Sequence, residues 1–307
     1  MKNLLMLFGV TLAKRYTKRQ KRIFYSQAEP YFKNLGFSVK LQTIKKKLLE
    51  VSNITIGDIN RADHLIVCPY DTPSRSLLPY KYFPFNLSKN LAQENREVFL
   101  HSFIYILSSL LAYFVFRQYL TFSILMRVLS IVLFACLIFI CYRLIVGIPN
   151  QVNFNRNSAS VALVAALAAR LRKKRNVAFV LLDNTASSNT GWRVFADEEG
   201  LKNKNIIYLD CLASGENLVC AHSRAAIPQG RKLAEKLAGV NVIDQVVPDV
   251  QIKDTKLQYI PQMLQICTGT IEDHFFFVEN TRSKRDFKVD IPRLENLCDG
   301  LINYIGA

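Results

Sequence analysis

The stretch His64-Leu-Ile-Val-Cys-Pro-Tyr-Asp-Thr-Pro73 reads as a buried strand that runs into a polar turn. Its apolar residues do not alternate with polar ones, the pattern of a strand covered on both faces in an α/β sheet. A second stretch, Asn153-Phe-Asn-Arg-Asn-Ser-Ala-Ser-Val-Ala-Leu163, reads as a polar loop entering an apolar helix, with Ser158 placed to cap it. Further unbroken apolar runs at 176–183 and 205–212 predict two more central strands. Shorter strands are predicted at 37–42, 54–59, 217–222 and near 263–267. Helices are predicted at 24–35, closed by Gly36, and at 158–172, 192–199, 229–237 and 291–305. This alternation predicts an α/β three-layer sandwich with a mostly parallel central sheet.

That pattern is interrupted once. Residues 98–116 and about 120–148 are almost wholly apolar, and each is close to the ~20 residues that cross a bilayer. No polar face recurs at helical spacing, as it would in two core helices. Arg127 and Arg143 fall near the ends of the second run, where long side chains reach the interface. The expectation is a transmembrane hairpin at 97–149 that splits one domain into 1–96 and 150–307. A hairpin returns the chain to the side it left, so both halves share a compartment. The connection between the spans offers about two arginines while the flanks and the N-terminal region carry many more Lys and Arg, which predicts that the folded part of this multi-pass membrane protein is cytoplasmic. The start of the chain, Met1-Lys-Asn-Leu-Leu-Met-Leu-Phe-Gly-Val-Thr-Leu-Ala13, is too short to span, and a basic run follows it. It fits equally a helix lying on the membrane surface and an ordinary first helix with a solvated basic face.

The 307 residues carry a net charge of +16, which calls for anionic partners. Anionic lipid headgroups at the bilayer fit. Nucleic acid does not, because no recognised module or basic–aromatic interleaving is present. Seven cysteines, an odd number without a C-x-x-C pair, predict reduced thiols rather than disulfides or structural zinc. Cys220-Ala-His222 does not aim a base at a nucleophile, and Glu272-Asp-His274 reads as a solvated turn.

The two opening stretches, with the 177–184 strand, Thr190-Gly-Trp and Leu209-Asp-Cys, resemble in order and spacing the di-zinc exopeptidases of metallopeptidase family twenty-eight. The family signatures run roughly H-Y-D-T and N-D-N-A-S-G-V-A. The resemblance implies a site at the carboxyl ends of the strands, as open α/β sheets have. It also implies that the metal-ligand positions are Pro69, Arg156, Ala186, Asp210 and Asn280, and that the general-base position is Thr185. Asp71 keeps the supporting carboxylate. Zinc is the family cofactor, but proline offers no donor and arginine brings a fixed positive charge, so no cofactor is expected here. Arg156 is expected to pair with Asp210, Asp71 or both in place of the metal. The function expected is a membrane-anchored, non-catalytic homologue that binds a peptide or protein partner. An active aminopeptidase-like hydrolase with a rearranged site, and an accessory subunit of a membrane transporter or protease complex, are the alternatives.

Overall fold

A computed structural model of the chain describes residues 1–306 except 47, 48, 173 and 187. Helices α1 (Lys2–Met6) and α2 (Lys18–Asn34) lead to strands β1 (Val39–Lys46), β2 (Leu49–Ile56), β3 (His64–Pro69) and the two-residue β4 (Lys81–Tyr82). Two long helices follow, α3 (Leu87–Gln118) and α4 (Ile124–Val146), then α5 (Ala159–Arg170), β5 (Val177–Leu182) and α6 (Thr190–Ala196). The chain continues through β6 (Asn205–Asp210), β7 (Asn217–His222), α7 (Ile227–Lys236), β8 (Val242–Val246) and α8 (Asp249–Ile252). It ends with β9 (Leu264–Glu272), β10 (Phe275–Glu279) and α9 (Ile291–Gly306).

The sheet runs β1-β2-β5-β3-β6-β9-β10-β4, with β7 against β9 and β8 against β7. It is mixed, which corrects the mostly parallel sheet expected from the sequence. Neighbours among β5, β3, β6 and β9 are parallel. Strands β1 and β2, β2 and β5, β7 and β9, and β9 and β10 are antiparallel, while β8 lies parallel to β7; the β9–β10 turn is too short for a crossover. The β9–β10 turn uses left-handed backbone at Asp273 and His274, the twist that suits a hairpin. Both sheet faces are covered. Ile66 and Cys68 join a core with α2, α5 and α9, while Leu65 and Val67 face Trp192, Leu257 and Met263.

The first helix belongs to the core. Phe8 is fully buried, its ring 5.9 Å from that of Phe24. Thr17 and Gln20 form a capping box, so the basic residues that follow open α2 rather than continue an apolar segment.

Helices α3 and α4 contact each other, and their apolar windows, with mean hydropathy 1.9 and 2.8, are 0% and 6% buried. Both are long and apolar enough to cross a membrane. Helix α3 starts well before residue 97, capped by Asn86 and held to the domain by polar contacts: Asn90 Nδ2 donates to Phe83 O (2.7 Å), and Glu97 Oε1 accepts from Leu77 N (2.6 Å). At the far turn, Arg127 donates to the carbonyls of Phe122 (3.0 Å) and Leu120 (2.8 Å), so its charge closes the hairpin. At the near end, Arg75 N donates to Ile148 O (2.7 Å), and Ser74 bridges Pro149. The loop that follows β3 is thereby tied to the exit of the hairpin. Gly147, at φ +78°, lies where a Cβ would meet the Tyr16 hydroxyl at 2.4 Å, so a side chain there is excluded.

Candidate functional site

The strand ends bring most of the expected residues into one buried region. Pro69 ends β3 against Leu182 and is buried. Two residues on, Asp71 is 3% exposed. Its carboxylate accepts from Thr185 Oγ1 (2.6 Å), Thr185 N (3.0 Å) and Ala186 N (3.0 Å), the turn beyond β5. Asp71 thus accepts three hydrogen bonds from the two residues to which the resemblance assigns the general-base and a metal-ligand position. Asn157 Nδ2 donates to the Asp71 carbonyl (3.0 Å) and locks the two opening motifs together.

Asp210, at the end of β6, is fully buried and accepts from the Tyr82 hydroxyl at 2.7 Å. Tyr82 arrives on β4, which pairs with β10 through Val278 and Glu279. The Arg156 guanidinium lies over the Tyr82 ring, 3.9 Å from its centroid, in cation–π contact. Arg156 and Asp210 thus each contact Tyr82, one its ring and the other its hydroxyl, and Asp71 is held by Thr185 and Ala186. Burial opposes the charge on Arg156, but the acidic groups around it, Tyr82 and Asp210 foremost, hold its pKa above the ordinary range. Its Nε is buried without a hydrogen-bond partner.

Three residues that the sequence did not single out complete the region. Lys256, 2% exposed, reaches Asn189 Oδ1. Burial, with Arg156 nearby, lowers its pKa to about 7. Asp286 accepts from Asn155 N (2.9 Å) and Arg156 N (3.2 Å) and thereby positions the Arg156 loop. Burial pushes its carboxyl up to about 8, against those N–H bonds. Arg282 pairs with Glu94 at 2.7 Å and donates to Ala186 O at 3.1 Å, so α3 is wired to the turn beyond β5. Each comes from irregular chain with no motif around it, and only Tyr80-Lys-Tyr82, an aromatic pair before a polar helix start, carried any signal.

Asn280 follows β10, not one of the parallel central strands. With φ 62° it turns the chain after β10 and lines a cavity of about 600 Å³ together with Asn155 and Asp286. A second cavity, about 270 Å³, opens beside Asp71 and Ala186 at the foot of α3.

No family model and no curated protein matches the chain. Its shape does match solved structures. The chain is similar to glutaminyl cyclase from Porphyromonas gingivalis at 13% identity and TM-score 0.59, with 99% of this chain and 94% of that chain covered. It is similar to glutaminyl cyclase from Fimbriiglobus ruber at 14% identity and TM-score 0.53, covering 99% and 91%. An aminopeptidase from Legionella pneumophila aligns at 7% identity and TM-score 0.52, covering 99% and 68%. The likeness is one of fold. It gives an α/β fold with a mixed sheet, similar to the folds of glutaminyl cyclases and aminopeptidases.

Whether zinc suits this region is a question of donors. Zinc takes nitrogen, sulfur or carboxylate ligands, usually four. Among the positions that the family resemblance assigns to metal, only Asp210 offers a carboxylate, and it is bound to Tyr82. Among the described residues no group of three or more His, Cys, Asp or Glu side chains could hold a metal ion. Two buried cations, Arg156 and Lys256, lie within the electrostatic reach of Asp210 instead. The residues present do not fit zinc.

Proposed function

We propose that the chain is a membrane-anchored, non-hydrolytic relative of the zinc exopeptidases of metallopeptidase family twenty-eight that binds a peptide end or a protein partner. The observation that carries this reading is the filling of the metal region. Tyr82, Arg156 and Lys256 occupy the surroundings of Asp210 with a ring and two cations, where a hydrolase needs an open metal position and a bound water. In this reading Arg156, with Lys256, stands in for the lost dication. The cavity of about 600 Å³, walled by Asn155, Asp286 and Asn280, is within the ~300–1,000 Å³ of ligand sites and takes the partner. The hairpin at 97–149 anchors the two halves, 1–96 and 150–307, as one unit on the cytoplasmic side.

Metal analysis of the purified full-length protein, paired with hydrolysis assays on peptides with free amino ends and N-terminal glutamine, tests this. Substoichiometric zinc and no turnover that chelation abolishes are expected. One zinc per chain with chelator-sensitive turnover overturns the reading in favour of a rearranged active site. The uncovered faces of α3 and α4, with Phe99 75% and Ile138 70% exposed, also suit an accessory subunit. Hairpin-dependent co-purification of a membrane protein would favour that role.

A further inference from the structure

Where the hairpin meets the domain decides what can reach the cavity of about 270 Å³. One wall is formed by Asp71 and Ala186, the remains of the family site, and the opposite wall by Glu94, Glu97, Val98 and His101 of α3. Val98 is the first residue of the long apolar run. The cavity therefore lies where α3 passes from its polar, domain-bound turns into its apolar length, the level of lipid headgroups in a spanning helix. Tyr16, in contact distance of the other hairpin end at Gly147, lines the same cavity. Both hairpin ends thus flank its mouth.

The lining has a charge pattern at odds with the rest of the protein. On a chain of net charge +16, it presents three carboxylates, Asp71, Glu94 and Glu97, against two fixed cations, Lys21 and Arg282, with His101 beside them. Asp71 is saturated from within. Glu94 is paired with Arg282, Lys21 with Asp183 at 2.5 Å, and Glu97, held by the 76–78 loop, lies 3.7 Å from His101 Nε2, so Lys21 and Arg282 can offer a phosphate only their remaining N–H groups. Glu94 remains 29% exposed and His101 25%. Acceptors for an ammonium and donors for a phosphate therefore face one small space. At about 270 Å³ it is at the lower bound of ligand pockets, the scale of a headgroup rather than a folded partner.

We propose that this cavity binds the headgroup of an amine-bearing phospholipid from the surrounding bilayer, its ammonium on Glu94 and Glu97 and its phosphate on His101, Lys21 and Arg282. The proposal rests on the hairpin spanning the membrane. It gives the remains of the family site a membrane-borne ligand, separate from the partner in the larger cavity. An ethanolamine head donates N–H groups to the carboxylates. A choline head has no N–H to donate, and a glycerol head has no positive charge.

The test uses the full-length protein reconstituted in vesicles of equimolar phosphatidylethanolamine, phosphatidylcholine and phosphatidylglycerol. The protein is floated, extracted in mild detergent, and its retained lipid quantified by mass spectrometry. Phosphatidylethanolamine is expected to exceed phosphatidylcholine about tenfold, the equivalent of one charge-assisted hydrogen bond. Glu94→Gln is expected to bring the ratio close to that of the vesicle, and Ala186→Phe, which fills the cavity without removing any of its charged groups, to do the same. Equal retention of the three lipids, preference for phosphatidylglycerol, or enrichment that survives Ala186→Phe in a protein that floats overturns the headgroup site alone. Failure to float with the vesicles removes the membrane reading, and this proposal with it.

Discussion

Among the described residues two arginines are buried, and their surroundings differ in kind. Arg15, fully buried near the N-terminal seam, donates to the carbonyls of Tyr70 (2.5 Å), Phe8 (2.8 Å) and Leu12 (2.5 Å) and to Ser158 Oγ (2.9 Å). Its charge is spread over backbone oxygens, and burial lowers its pKa to about 10. Arg156, 6% exposed, makes no such set; it rests on an aromatic face beside a carboxylate that another group already holds. A buried polar group with its hydrogen bonds complete is a structural knot. One left with an unpaired Nε is kept by the field around it. The first joins the segment after α1, the end of β3 and the start of α5. The second, in the reading proposed above, stands in for a metal ion.

The widest separation between the two is expected in their response to pH, because Asp286 and Lys256 beside Arg156 titrate in the accessible range, whereas burial pushes Cys68 and Tyr70 beside Arg15 upward and out of it. Asp286 holds its proton up to about 8 in the fold but only to ~3.9 when unfolded. Its contribution to stability is therefore full at low pH and is lost as pH rises between those values, several kcal/mol in all. Lys256 titrates at about 7 in the fold and near ~10.4 unfolded. Its burial is most costly below pH 7, and that cost recedes as pH rises toward 10. Melting curves across pH should show Asp286→Asn removing a falling slope between about pH 4 and 8, and Lys256→Met removing a rising one between about 7 and 10. Unchanged slopes in both variants would break the contrast.

Next in size, Arg15→Met should cost about 3–5 kcal/mol in chemical denaturation, because it orphans several buried oxygens at once. Arg156→Leu should cost less, about 2–3 kcal/mol, because exposing the charge of Asp210 is offset by removal of an unpaired Nε. It should also raise the Lys256 pKa, read as an upward shift of the rising slope. A larger loss for Arg156→Leu than for Arg15→Met would reverse the assignment of knot and site. Smallest, Tyr82→Phe should cost about 1.5 kcal/mol, one hydrogen bond to a charged acceptor. No measurable loss would mean that Tyr82 does not seal Asp210.

Much of the frame was legible because burial on both faces leaves a continuous apolar run. This is why 64–68, 176–183 and 205–212 were readable, and why 217–222 coincides with β7. What escaped was set by partners distant in sequence. β4 is two residues long and exists only because Val278 and Glu279 lie beside it. β8 leaves Ile243 and Val246 exposed and so lacks an apolar signature. The β9–β10 turn reverses at Asp273 and His274 without the glycine that marks most hairpins, which hid the antiparallel flank. In the site, Asp71, Arg156 and Asp210 announced themselves at strand ends. Lys256 and Asp286 reach it from irregular chain, and nothing in their neighbours sets them apart from solvated charges.

The tie between the 73–75 loop and the hairpin exit also bears on how the chain closes its sheet. β3 pairs with β5 and β6, both of which follow the hairpin in sequence, so it must wait for strands made long after it. An inserted segment left as open coil would add to the entropy of that closure, though only logarithmically with its length. Two helices in contact, ending with Arg75 N 2.7 Å from Ile148 O, reduce the insertion to a closed neck. To the sheet, β3 and α5 are then joined by a short connection. The early half of the chain can be held in place while its later partners are still being made.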